Sequence, residues 1–339
     1  MREKQWELLK TRYCERGLVL ALGAGVSVES KIPNWGELLR RLMNRVFGEK
    51  ATLYLDQLKK NGYSLPAIAS VIENSCPENK SFSEVIREEL YKDFPFFPEG
   101  INSNNRDSFI KYITENNSTM RAVGALCSVK DRKKEAYIPN PRILRVINFN
   151  LESILKAYTQ HRYNTRILRT IERPSSKNVP GEINMYNMHG YLRFDRRYRG
   201  DRTKEAPDVL IFTEQDYYDF FNRPSSLFNY TFLYLLREYS CLFIGLSMND
   251  ENVRRLLHYT KSEREQGLRS EGILHPSEDK ILRHFAILPD WIEPDINRLT
   301  EASLRRLGTR VLWVSDFNEI PDRLGKIYEA GGNYWSEVY

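Results

Sequence analysis

Residues 18–22 read Leu-Val-Leu-Ala-Leu, an apolar run with no polar position inside it, and glycine follows directly. So short and continuous a run predicts a strand buried on both faces. Further runs of this kind predict strands at Arg142–Asn148, Ile183–Met188, Val209–Phe212, Cys241–Leu246, His284–Leu288 and Arg310–Val314. Between them the apolar positions recur at helical spacing. They predict helices at Lys4–Glu15, Trp35–Phe47, Leu151–His161, from Glu214, at Leu227–Tyr239, at Asn249–Thr260 and from Ile320. Strands that alternate with helices predict an α/β chain with a doubly wound parallel sheet covered on both faces.

Residues 50–135 break this rhythm. Their periodicity is helical throughout, with candidate helices at Thr52–Lys60, Leu65–Glu73, Ser83–Asp93, Arg106–Asn116 and Thr119–Val129. We read them as a helical insertion, a cap subdomain within one domain spanning 1–339. The aromatic segment Asp93–Pro98 packs either against the chain's own core or against a partner. Lys261–Lys280 is polar and predicts an exposed loop.

The chain has 339 residues, 41% of them hydrophobic, enough for a sizeable core. No apolar run approaches the ~18–20 residues of a membrane span, and the first residues carry no apolar signal region. The expectation is a cytoplasmic protein without membrane contact. The four cysteines, 14, 76, 127 and 241, are far apart, which predicts neither a disulfide framework nor a zinc site. A net charge of +6 is mildly basic. The clusters at Arg193–Arg202 and Arg254–Arg255 suit solvated faces or ion pairs better than nucleic acid, and direct nucleic-acid contact stays open.

Candidate chemistry gathers at the carboxyl ends of the predicted strands, where ligands of doubly wound sheets lie. Gly23-Ala24-Gly25 turns the first strand into a helix, a geometry whose backbone N–H groups suit phosphate, and Ser27 adds a hydroxyl. Val28 stands where a dinucleotide fingerprint needs its third glycine. Asn148 ends the second strand and could hold a ribose hydroxyl, or satisfy turn amides, with Asn150 as a helix cap. His189 alone among five histidines precedes a glycine at a strand end. Gly245-Leu246-Ser247 makes another strand-to-helix turn, with Asp250 as a helix cap.

The string Gly-Ala-Gly-Val-Ser-x-x-Ser-x-Ile-Pro-x-Trp at 23–35 resembles the nucleotide loop of the sirtuin superfamily, more closely its bacterial sirtuin-like branch. Asn148-Phe149 and His189-Gly190 resemble sirtuin-family motifs, and Phe212–Tyr217, Gly245–Leu257 and Gly308–Asp316 resemble that branch, all in order along the chain. The departures are Asn34-Trp35-Gly36 for the Asp-Phe-Arg usual in protein-deacylating sirtuins, and Asn150 for the family's aspartate.

The resemblance implies a Rossmann-like, sirtuin-type sheet and cleavage of NAD+ to nicotinamide and ADP-ribose. It implies that Asn148 positions ribose and water and that His189 is the base. Gly23, Ala24, Gly25 and Ser27 would bind pyrophosphate. Ile32, Pro33, Asn34 and Trp35 would wall the nicotinamide, and Gly245, Ser247 and Asp250 would anchor adenosine. It also implies depletion of NAD+ in anti-phage immunity by a homo-oligomer. The sensor would be a separate subunit, such as a HerA-class ring ATPase or an Argonaute-like protein. No zinc is expected, since the cysteine ribbon of protein-deacylating sirtuins is missing. An NAD-dependent deacylase and a non-catalytic NAD or ADP-ribose sensor are the alternatives.

Overall fold

The computed structural model describes residues 2–77, 80–171, 179–195, 210–222, 227–291 and 293–339. Nine strands are found there: β1 (Leu18–Leu22), β2 (Ser128–Asp131), β3 (Ala136–Pro139), β4 (Ile143–Asn148), β5 (Leu168–Ile171), β6 (Ile183–Asn187), β7 (Cys241–Ile244), β8 (His284–Pro289) and β9 (Thr309–Val314). Seven form one sheet in the order β5-β6-β4-β1-β7-β8-β9, every neighbouring pair parallel. This is the Rossmann-like α/β architecture the pattern predicts. The chain leaves β1 for β4 on one side and later returns to β7 on the other. The carboxyl end of β1 is therefore a topological switch point.

The continuous apolar strands are explained by burial on two sides. Leu18, Leu20 and Leu22 of β1 enter one core and Val19 and Ala21 the other, because successive side chains leave a strand on opposite faces. The first core is closed by α1 (Arg2–Arg16), α2 (Trp35–Phe47), α3 (Ala51–Lys60), α4 (Leu65–Asn74), α5 (Phe82–Tyr91), α6 (Arg106–Asn116), α7 (Ser118–Leu126), α8 (Ile154–Tyr163) and α14 (Ile320–Ala330). The second lies under α10 (Leu227–Glu238), α11 (Glu251–Ser270) and α13 (Pro294–Arg305). Two further helices, α9 (Glu214–Asn222) and α12 (Glu278–Ile281), complete the described set. Of the helices inside 50–135, α3, α4 and α5 adjoin α2, and α7 packs on α8 and α14.

Several expectations need correction. Residues 210–212 are not a strand; the Ile211 N–H donates to the His189 carbonyl at 3.0 Å instead. Val209 and the arginines at 196–202 lie outside the described residues. The polar stretch after Lys261 is helical to Ser270. Pairs such as Lys261–Glu265, at 2.6 Å, support a helix without an apolar stripe. Helix α7 ends at Leu126, and β2–β3 form a charged antiparallel hairpin that lacks the apolar alternation of a half-buried strand. The strand β5 and the helix α13 were not foreseen. The Asp93–Pro98 segment turns inward: Phe94 is buried, packed edge-on to Phe109 and Phe194.

Candidate functional site

At the switch point two loops lock together through bare backbone. The Gly23 N–H donates to the Ile244 carbonyl at 2.9 Å and the Gly25 N–H to the Gly245 carbonyl at 3.0 Å. A Cβ on Gly23 would stand 2.5 Å from the Gly245 carbonyl oxygen, and one on Gly25 2.7 Å from the Gly245 Cα. These glycines serve loop-to-loop contact, and the Gly25 N–H is spent on it rather than left for an anion. The loop is also fastened from behind. The Asn117 amide caps α7 through the Met120 N–H at 2.7 Å and donates to Ser30 Oγ at 2.8 Å and the Val26 carbonyl at 3.0 Å.

Ser27 is fully buried, and its hydroxyl donates to Glu152 Oε1 at 2.6 Å. The other Glu152 oxygen accepts the Ile154 N–H. Burial raises the Glu152 carboxyl above its ordinary range, and the Ser27 and Ile154 hydrogen bonds oppose the shift. Glu152, Ser27, Ala24, Ile32, Pro33 and Trp35 line one small cavity. Its free volume of about 30 Å³ is near one water's share of liquid volume. The Trp35 ring stacks on Phe212, centroids 4.4 Å apart. Asn34 is exposed and does not line the cavity; it caps α2 through the Glu37 N–H at 3.0 Å.

Asn148 and Asn187 are paired across β4 and β6. The Asn148 amide donates to Asn187 Oδ1 at 2.8 Å and to the Asn150 carbonyl at 3.3 Å, and its Oδ1 accepts the Asn150 N–H at 3.3 Å. Both of its hydrogens are engaged, so toward a ligand Asn148 has only acceptor capacity left. Asn150 is buried and donates to the Gly23 carbonyl at 3.0 Å. Asn150 Oδ1, Asn187 Nδ2 and His189 Nδ1 are buried without a hydrogen-bond partner. Each such group costs about 1–3 kcal/mol if left unmet, and three gather at this sheet end, where an ordered water or a ligand can supply the missing partners.

His189 follows β6, 5% exposed, edge-on to Phe149 and tilted against Tyr217. Its Nε2 lies 3.9 Å from Asp250 Oδ2, while Asp250 Oδ1 caps α11 through the Val253 N–H at 2.9 Å. Burial holds the imidazole below its ordinary 6.5, opposed by the Asp250 carboxylate. The Tyr217 hydroxyl is raised by burial and by its hydrogen bond with Asp250. Asp250 thus stands beside the candidate base, a proximity its position in the sequence did not reveal. Gly245 packs against the 23–25 glycine loop, and Ser247, two residues on, is exposed. Glu152, Asn187 and Asn117 escaped the sequence reading, although Asn187 could have been found as the polar residue ending β6.

Among the described residues no cluster of histidine, cysteine and carboxylate side chains could hold a metal, and no helix is long and apolar enough to cross a membrane. A family model described as a SIR2-like domain matches residues 145–302. That span runs from within β4 to within α13 and includes Asn148, His189 and Asp250 but not the glycine loop. It supports a sirtuin-like family and fits an NAD-related function. No curated protein matches the chain.

Proposed function

We propose that this chain hydrolyses NAD+ at its N-glycosidic bond, releasing nicotinamide and ADP-ribose. The observation that carries the reading is the meeting of His189, Asp250 and the Asn148–Asn187 pair beside the glycine loop at one sheet end. Nicotinamide leaves as a neutral group, so the bond needs no strong acid, and positive charge builds on the ribose. Asn148 Oδ1 accepts a hydrogen from a ribose hydroxyl or the attacking water. His189, neutral, takes a proton from that water or hydroxyl. Asp250 stabilises the imidazolium so formed, and its own place is fixed by the α11 cap. Incubation with NAD+ followed by mass spectrometry of products tests the reading. Nicotinamide and ADP-ribose in equal amounts are expected, from the chain alone or with an activating partner subunit added; NAD+ left intact under both conditions, or consumed only with an acyl-lysine peptide, overturns it.

The direction of the His189 shift sets a pH profile. A base held below 6.5 stays neutral into acid solution, so the acid limb of kcat/KM should fall below pH 6.5. Asp250→Asn removes the opposing charge and should move that limb further toward acid. A wild-type limb at or above 6.5 would count against His189 as the base. Stability follows the same sign: the depressed imidazole stabilises the fold above the unfolded value of about 6.5, and this contribution is lost as pH falls.

We place this activity, from the family resemblance, in anti-phage defence by NAD+ depletion, in a homo-oligomer switched on by a separate sensor subunit. The tightness of the Trp35–Glu152 cavity supports such control. A nicotinamide ring enters only when its walls part, and the Asn117 bonds tie the glycine loop to α7.

A further inference from the structure

At the opposite end of the sheet, where β1, β7 and β8 begin, lies a separate cavity of about 230 Å³. Arg12, Arg16, Arg264, Lys280 and Arg283 line it. Glu238 and Asp279 are the carboxylates among its lining residues, and Asp279 is already held by the buried Arg310 at 2.5 Å. Arg264 donates to the carbonyls of Ile281 at 3.1 Å and Arg237 at 3.4 Å. Arg283 donates to those of Arg237 at 2.7 Å and Glu238 at 3.5 Å. Among the described residues neither forms an ion pair. Arg12 donates to the Asp279 carbonyl at 3.2 Å and stands 4.0 Å from Glu15.

Capping the end of α10 accounts for part of this arrangement. A helix C-terminus, however, carries only about half a negative charge, and two guanidiniums meet there with a third and fourth near by. Burial pushes Arg264 down to about 10, helped by Arg283, and pushes Arg283 down with help from Arg16 and Arg12. The Glu238 carboxylate opposes both shifts, but five lining cations face only two lining carboxylates, one of them already paired with Arg310, so the lining is net positive.

We propose that this cavity binds a phosphate-bearing anion of two or three linked phosphates. Guanidiniums offer forked donors that match phosphate oxygens, and five cations exceed what one phosphate can meet. The volume lies below the ~300–1,000 Å³ of sites that enclose whole drug-sized ligands. The site therefore reads the phosphates and leaves any sugar or base outside.

Isothermal titration of the full chain at low ionic strength, with pyrophosphate, tripolyphosphate and ATP in turn, tests this. Saturable binding of tripolyphosphate, one per chain, is expected, with ATP at least as tight if a nucleotide is the source. Arg16→Gln with Lys280→Gln alters only exposed side chains and should weaken binding about tenfold or more. Arg283→Ala, with its melting temperature checked, should do the same. No saturable binding, or binding that these substitutions leave unchanged, overturns the proposal. So does a duplex RNA that binds where tripolyphosphate fails, which would make the surface a nucleic-acid contact.

Discussion

Replacing His189 with glutamine is expected to lower NAD+ cleavage by about 10²–10⁴-fold, the scale of a lost general base. Glutamine keeps most of the bulk between Phe149 and Tyr217, so the circular dichroism spectrum should be unchanged. Asn148→Ala should lose a comparable factor, about 10² or more. It also strips Asn187 Oδ1 of its donor, which should cost about 1–3 kcal/mol of stability. Nicotinamide release at 25 °C, measured on folded protein, checks both. A wild-type rate in the glutamine variant would remove His189 from the chemistry and leave its pairing with Asp250 as a packing feature.

The largest effect on stability is expected at Gly245. Its φ is +70°, and a Cβ would stand 2.6 Å from the Val26 nitrogen and 2.9 Å from the Gly25 carbonyl carbon. The left-handed conformation alone costs a non-glycine residue about 1–2 kcal/mol. The clash is with backbone, which no rotamer relieves. Gly245→Ala should therefore lose about 3 kcal/mol or more in urea unfolding. Gly267 is the control: it sits inside α11 with nothing within 4 Å of a Cβ. Alanine there should stabilise by about 0.5–1 kcal/mol. Equal, small effects at both positions would mean that the two loops are not locked as described.

The central strands were legible because a fully buried strand must be apolar on both faces, and Leu18–Leu22 or Cys241–Ile244 satisfy that with no competing pattern. Helix α6 was legible to the residue, Arg106–Asn116. The β2–β3 hairpin was not, because its exposed Lys130–Glu135 stretch has helical composition and its pairing is long-range information. The end of α11 was hidden for the opposite reason: charge pairs, not an apolar stripe, sustain it. Within the site, His189 and Asn148 could be picked out because polar residues are conspicuous at the ends of apolar strands. Asp250 looked like a helix cap, which it is. Its second oxygen faces His189 only because β6 and β7 flank the β4–β1 pair, a fact of sheet order. Glu152 was concealed in the same way, since Ser27 reaches it from another strand's loop.

The interlocking of Gly23 and Gly25 with Gly245 also orders events during synthesis. β1 leaves the ribosome well before β7, yet the turn behind it takes its shape against the backbone of that later strand. Until β7 pairs with β1, the turn lacks both carbonyls that hold it. Contacts of such long sequence separation form slowly, since loop closure must precede them. The nascent chain therefore carries an unformed glycine turn until residue 245 has emerged and docked, and any fragment ending before β7 never completes it.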